Sequence, residues 1–224
     1  MIQFKNIIKK FGNGLLALSD INLVVENQEF VFITGKSGAG KTTLLRLIIR
    51  DVLPTSGVIS VDGDDLIKLS GKKTLELRRK VGMVFQDFKL LTDRTVFENV
   101  ALALEVVGRK PKEIKPEVEK VLTQIGLLNQ KDLFPIQLSG GEAQRTVIAR
   151  ALITKPKILL ADEPTGNLDH VTSWDILKLL EEINQNGTTV IMATHNVDIV
   201  NKLKKRVVVL EKGKIKRDEK EGKY

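Results

Sequence analysis

Cysteine is absent from the 224-residue chain, which excludes a disulfide framework and any thiolate-held zinc or iron–sulfur centre. Also missing is an apolar run near the roughly 18 residues that a membrane-spanning helix needs. The best stretch, residues 44–49, is broken by Arg46. The opening Met1-Ile2-Gln3-Phe4-Lys5 lacks the basic-then-apolar layout of a signal peptide. No internal repeat, heptad array or long linker interrupts the sequence. These absences predict a cytoplasmic protein that reaches a membrane only through another chain.

What is present is ordinary for a globular domain: 42% hydrophobic and 29% charged residues, enough to bury a sizeable core. The net charge of +8 is unevenly spread, because residues 201–224 hold ten basic and four acidic side chains. That leaves the rest of the chain nearly neutral and argues against a nucleic-acid groove across the domain. The basic C-terminal tail reads either as a solvated segment or as one drawn to an anionic membrane surface.

Short β-rich runs alternate with helical patterns, which predicts an α/β fold with a largely parallel central sheet. Residues 30–33, 81–85, 158–161 and 189–192 are apolar on both faces, as strands covered on both sides must be. Residues 2–10 and 21–25 read as antiparallel strands, and 58–61 as a strand entering the turn Asp62-Gly63. Helices are expected over 96–107 and 113–125, separated by Gly108 and Pro111, as an inserted helical unit. A terminal hairpin, 206–210 with 214–217, turns at Lys212-Gly213.

Three motifs carry chemistry. Gly35-Lys36-Ser37-Gly38-Ala39-Gly40-Lys41-Thr42 fits G-x-x-x-x-G-K-S/T between a strand and an apolar helix. Its glycines let backbone N–H groups wrap an anion, Lys41 reaches the β/γ-phosphates, and the Thr42 hydroxyl ligates Mg²⁺. Asp162-Glu163 follows the apolar run Ile158-Leu159-Leu160-Ala161, which puts two carboxylates at a strand's C-terminal end. Asp162 suits the metal shell, through water, and Glu163 suits activation of an attacking water. Leu138-Ser139-Gly140-Gly141-Glu142 precedes a helix and forms a second anion nest. A second nest far from the first is best explained if two chains each lend one to a shared nucleotide.

In this order, these motifs resemble the ATP-binding subunit of an ABC-type ATPase over essentially the whole chain. The resemblance implies a P-loop fold with a RecA-like core, an antiparallel β-subdomain and an inserted α-helical subdomain. It places the α/β parts at about 1–87 and 155–224 and the helical part at about 88–154. It also implies ATP and Mg²⁺ as cofactors, Thr43 beside the phosphates, Gln86 as the loop glutamine that senses metal and water, and Asp169 at the dimer contact. His195 matches the switch histidine at the γ-phosphate, and Phe11 the aromatic that stacks on adenine. Taken singly, Gln86 fits a loop amide, His195 a capping residue and Phe11 a core aromatic equally well.

Within the family the likeness is to the cell-division branch. It is carried by Val84-Phe85-Gln86-Asp87-Phe88-Lys89-Leu90-Leu91, Thr165-Gly166-Asn167-Leu168-Asp169, Thr172-Ser173-Trp174, Met192-Ala193-Thr194-His195-Asn196 and the Arg217-to-Tyr224 ending. It implies a bacterial ATPase on the cytoplasmic face of the inner membrane that dimerises with ATP. Its partner would be an FtsX-like integral membrane protein docked at Phe88, Leu90 and Leu91, through which it regulates peptidoglycan hydrolysis. Exporter ATPases of the MacB and lipoprotein-release type share the catalytic motifs and are the alternative. His170 and Ala143 depart from the usual proline and glutamine without removing a phosphate, metal or water contact. Nucleic-acid relatives carry coiled-coil arms or zinc modules, and this chain has neither.

Overall fold

Alternation along the buried strands divides the interior into two cores. In β3 (Phe30–Thr34), Phe30 and Phe32 enter one core while Val31 and Ile33 enter the other. The same split separates Leu159 and Ala161 from Ile158 and Leu160 in β7 (Ile158–Asp162). It recurs for Val190 and Met192 against Ile191 and Ala193 in β8 (Thr189–Thr194). Apolar residues on both faces therefore form a sheet with a covering layer on each side.

The computed structural model describes residues 1–222; Lys223 and Tyr224, which end the basic segment, lie outside the described residues. The central sheet also takes in β6 (Val81–Val84), β9 (Arg206–Glu211) and β10 (Lys214–Glu219), in the order β10-β9-β3-β8-β7-β6. All neighbours are parallel except β10, which pairs antiparallel with β9. A second, antiparallel sheet has the order β2-β1-β4-β5, from β1 (Ile2–Lys10), β2 (Leu16–Val25), β4 (Ser56–Val61) and β5 (Asp64–Asp65). Its apolar face joins α1 (Lys41–Ile48) in the core on one side of the central sheet. On the other side lie α3 (Val96–Val106), α4 (Pro111–Gln124), α5 (Gly140–Leu152) and α6 (His170–Gln185). The chain also forms α2 (Gly71–Lys80) and α7 (Val197–Leu203).

Three expectations change. Pro111 is the first residue of α4, where a missing N–H is harmless, and not a separator. α2 escapes the pattern because only Thr74 and Leu77 of its ten residues are buried. The basic C-terminal segment is not a free tail, because residues 206–219 form β9 and β10, although the β10 side chains stay mostly exposed. β9 lies within the central sheet, and Arg206 pairs with Glu29 at 3.0 Å and Asp218 at 2.7 Å. Lys216 and Lys205 likewise pair with Glu211 and Glu181.

Candidate functional site

The loop between β3 and α1 is shaped by glycines that no other residue could replace. Gly35 has φ 142° and passes so close to β9 that an added Cβ would lie 2.3 Å from the Leu210 carbonyl oxygen. Gly40, at φ 108°, caps α1, and a Cβ there would meet the Ala17 oxygen at 2.7 Å. The loop therefore curls tightly, and Lys41, buried at the start of α1, folds back over it. Its Nζ donates to the Gly35 carbonyl at 2.8 Å and stands 3.4 Å from Glu163 Oε1.

The order β3-β8-β7 brings three strand ends side by side. Asp162 ends β7 and accepts from Thr42 Oγ1 at 3.1 Å. Burial raises the Asp162 pKa, and the Thr42 hydrogen bond opposes that shift. A hydroxyl and a carboxylate in contact are hard oxygen donors suited to Mg²⁺. The next residue, Glu163, takes the left-handed conformation at φ 47° and donates its N–H to the Ala193 carbonyl of β8 at 2.9 Å. A non-glycine residue there costs about 1–2 kcal/mol. In this turn the carboxylate reaches both Lys41 and His195, whose Nδ1 lies 2.9 Å from Glu163 Oε1. His195 is not a cap: Asn196 is, accepting from the N–H groups of Asp198 and Ile199.

A cleft of about 590 Å³ gathers Lys36, Ser37, Gly38, Gly40, Lys41, Thr42 and Thr43 with Gln86, Glu163 and His195. Phe11 lines its open end, with Lys9 Nζ 4.9 Å from the ring centroid, whereas Phe4 and Phe30 are buried in the cores. Exposed Leu15 and Leu16 extend this apolar end. Sequence reasoning missed them, although two leucines after Gly14 on a strand edge are a usable signal. Gly35 and Ala39 sit on the far side of the loop, facing β9 and the turn after it.

Ser139, Gly140, Gly141, Glu142 and Asp169 do not line the cleft. Ser139 caps α5 reciprocally with Glu142: its N–H and hydroxyl donate to Glu142 Oε2 at 2.9 and 2.7 Å. Those bonds hold the Glu142 carboxyl below its usual range. A Cβ on Gly141 would fall 2.6 Å from the Thr172 methyl group, and one on Gly140 3.2 Å from Leu168. Asp169 caps α6 through Thr172 N at 3.0 Å, and its bonds to Thr172 lower its pKa. These five residues form a second surface, built from the start of α5 and the segment before α6.

Two residues that fix the segment after Gln86 were not singled out for that task. Arg150 of α5 donates to the carbonyls of Lys89 at 2.7 Å and Phe88 at 3.0 Å, two residues in the left-handed region. Asn99, fully buried in α3, accepts from Leu91 N–H and donates to the carbonyls of Leu91, Arg94 and Thr95. An asparagine directly before the apolar run Val100-Ala101-Leu102-Ala103-Leu104 was the available signal. Arg150→Met should lower stability by roughly 2 kcal/mol, since two charge-assisted hydrogen bonds disappear. On the role expected of Gln86 from the sequence, it should also reduce turnover more than nucleotide affinity, because the segment after Gln86 loses its support and the loop at 35–42 does not. Denaturant unfolding beside a nucleotide titration checks both.

A family model described as ABC transporter matches residues 18–166. The chain is 51% identical over its whole length, and 98% of the relative's, to the cell division ATP-binding protein FtsE of Bacillus subtilis. It is 46% identical to the Escherichia coli protein of that name, over 95% of this chain and 96% of the relative. Among solved structures, the dimeric ATP-binding cassette MJ0796 bound to ADP and phosphate superposes with a TM-score of 0.90. That match has 35% identity over 100% of both chains.

Proposed function

The chain belongs to the ABC transporter family of ATP-hydrolysing proteins, and on that premise we propose the following division of labour for a cell-division ATPase subunit. ATP lies along the cleft, its base against Phe11 and its phosphates on residues 35–43. Thr42, Gln86 and, through water, Asp162 would hold Mg²⁺, which would neutralise charge on the phosphates. Glu163 takes a proton from water, and His195 and Lys41 orient its carboxylate. Ser139, Gly140, Gly141, Glu142 and Asp169 serve the nucleotide of a second copy, so two chains close head to tail around two sites. The observation that carries this reading is the separation of the two nests: one lines the cleft, and the other, packed near Leu168 and Thr172, contributes nothing to that lining.

The ATP-driven closure would move residues 88–154 against 1–87 and 155–224 and so pull on an FtsX-type membrane protein. Through it the complex regulates peptidoglycan hydrolysis at division from the cytoplasmic face of the membrane. Among the described residues no helix is long and apolar enough to cross a membrane, which fits a subunit attached through a partner.

We propose a docking site centred on Leu91 and not on the whole trio Phe88, Leu90 and Leu91. Phe88 and Leu90 are half-buried and pack on the core that α3 and α5 share, because Arg150 pins the backbone beneath them. Leu91 instead lines a groove of about 640 Å³ with Phe85, Leu75 and Val106. Leu75, Leu91 and Val106 are 56%, 37% and 73% exposed, a concentration of open apolar surface that marks an interaction site. Leu91→Asp with Val106→Asp should cut capture of the detergent-solubilised partner at least about tenfold, since apolar anchors carry most of such an interface. ATP affinity should stay unchanged. Phe88→Ala should instead cost roughly 2 kcal/mol of stability. Pull-down, nucleotide titration and thermal unfolding separate these outcomes; full capture by the double aspartate variant would place docking elsewhere.

A further inference from the structure

We infer that a basic cavity beside the docking groove holds the phosphate headgroup of an anionic phospholipid. The cavity, about 830 Å³, lies between α4, the C-terminal end of α2 and the segment just after α5. Arg79, Arg109, Lys112, Lys120 and Lys155 line it, drawn from three separate stretches of sequence. Only two carboxylates answer them. Glu113 pairs with Arg109 at 3.9 Å and Glu117 with Lys155 at 3.0 Å. Among the described residues, Arg79, Lys112 and Lys120 have no ion-pair partner within 4 Å.

Leu104, Val107 and Ile153 also line it, with Leu104 and Ile153 buried at its base. A hollow that combines excess positive charge with an aliphatic lining fits a phosphodiester joined to a glycerol backbone. A nucleic-acid strand would instead call for a row of cations along a face. Arg79, Val107 and Thr154 line both this cavity and the apolar groove, so the two open on one side of the molecule. That this side meets the membrane rests on the partner-docking reading above. Lysine near an anionic bilayer contributes a steady attraction that falls off within a Debye length.

The test is co-sedimentation of the purified chain with phosphatidylcholine vesicles, with or without phosphatidylglycerol at about one lipid in three. The chain should be retained only where phosphatidylglycerol is present. Lys112→Glu with Lys120→Glu should lower that retention about tenfold or more. Both positions are exposed on α4, where glutamate keeps the helix, so ATP turnover and the circular dichroism spectrum should be retained. Lys214→Glu with Lys220→Glu changes the net charge equally from the C-terminal hairpin and should lower retention less than about threefold. Equal losses from the two pairs would mean general attraction and would overturn the assignment. So would release of the bound chain by millimolar inorganic phosphate, which would mark a site for a soluble anion. No membrane partner enters this assay. If it fails while partner capture depends on Leu91 and Val106, the lipid site falls and the docking site stands.

Discussion

Glu163→Gln is expected to bind ATP, retain it, and release phosphate at least ~100-fold more slowly than the parent chain. Glutamine has the size of glutamate, so it can still contact Lys41 and His195 from the left-handed turn that closes on the Ala193 carbonyl. What it lacks is the carboxylate that accepts a proton from water. Lys41→Ala should behave oppositely. It removes the ammonium that the Gly35 carbonyl holds over the phosphate loop, so ATP affinity itself should fall. Rapid-quench phosphate release and equilibrium nucleotide titration distinguish the two variants. Near-normal turnover in the glutamine variant would strip Glu163 of its role as base.

Ser139→Arg added to Glu163→Gln should abolish the ATP-dependent dimer. Trapped nucleotide shifts the population toward the closed pair only through contacts that exist in that pair. Ser139 is exposed at the start of α5 and already satisfied by its own capping box. Its loss should therefore cost the isolated chain only about 1 kcal/mol, the usual value of an N-cap. In the dimer the arginine would intrude on the partner's nucleotide. Light scattering of the single and double variants with ATP should give a dimer for Glu163→Gln alone and a monomer for the pair. A dimer in both would end the shared-site reading.

Much of the molecule was legible from local pattern. The phosphate loop was readable because a tight anion nest needs glycine at fixed offsets, and Gly35 and Gly40 have the positive φ that explains them. The buried strands were readable because apolar residues on both faces admit few other placements. Failures fell where local pattern is silent. α2 buries too little to show a periodicity, and Phe88 looked exposed because the hydrogen bonds that turn it inward come from Arg150, 62 residues away.

The sequence by itself determined that this chain has a nucleotide-binding loop of the ATP-hydrolysing kind and two acids at a buried strand end, because each feature is written within a few neighbouring residues. Only the tertiary structure decided which distant groups meet. Glu163 shares its carboxylate with Lys41 and His195 because the sheet order sets β3, β8 and β7 side by side. Positive charge likewise gathers where α2, α4 and the end of α5 converge, whereas ion pairs hold much of it in the C-terminal segment. Periodicity reports which face of an element is apolar. The packing of those faces, through contacts between residues far apart in the chain, chooses which charged faces become neighbours.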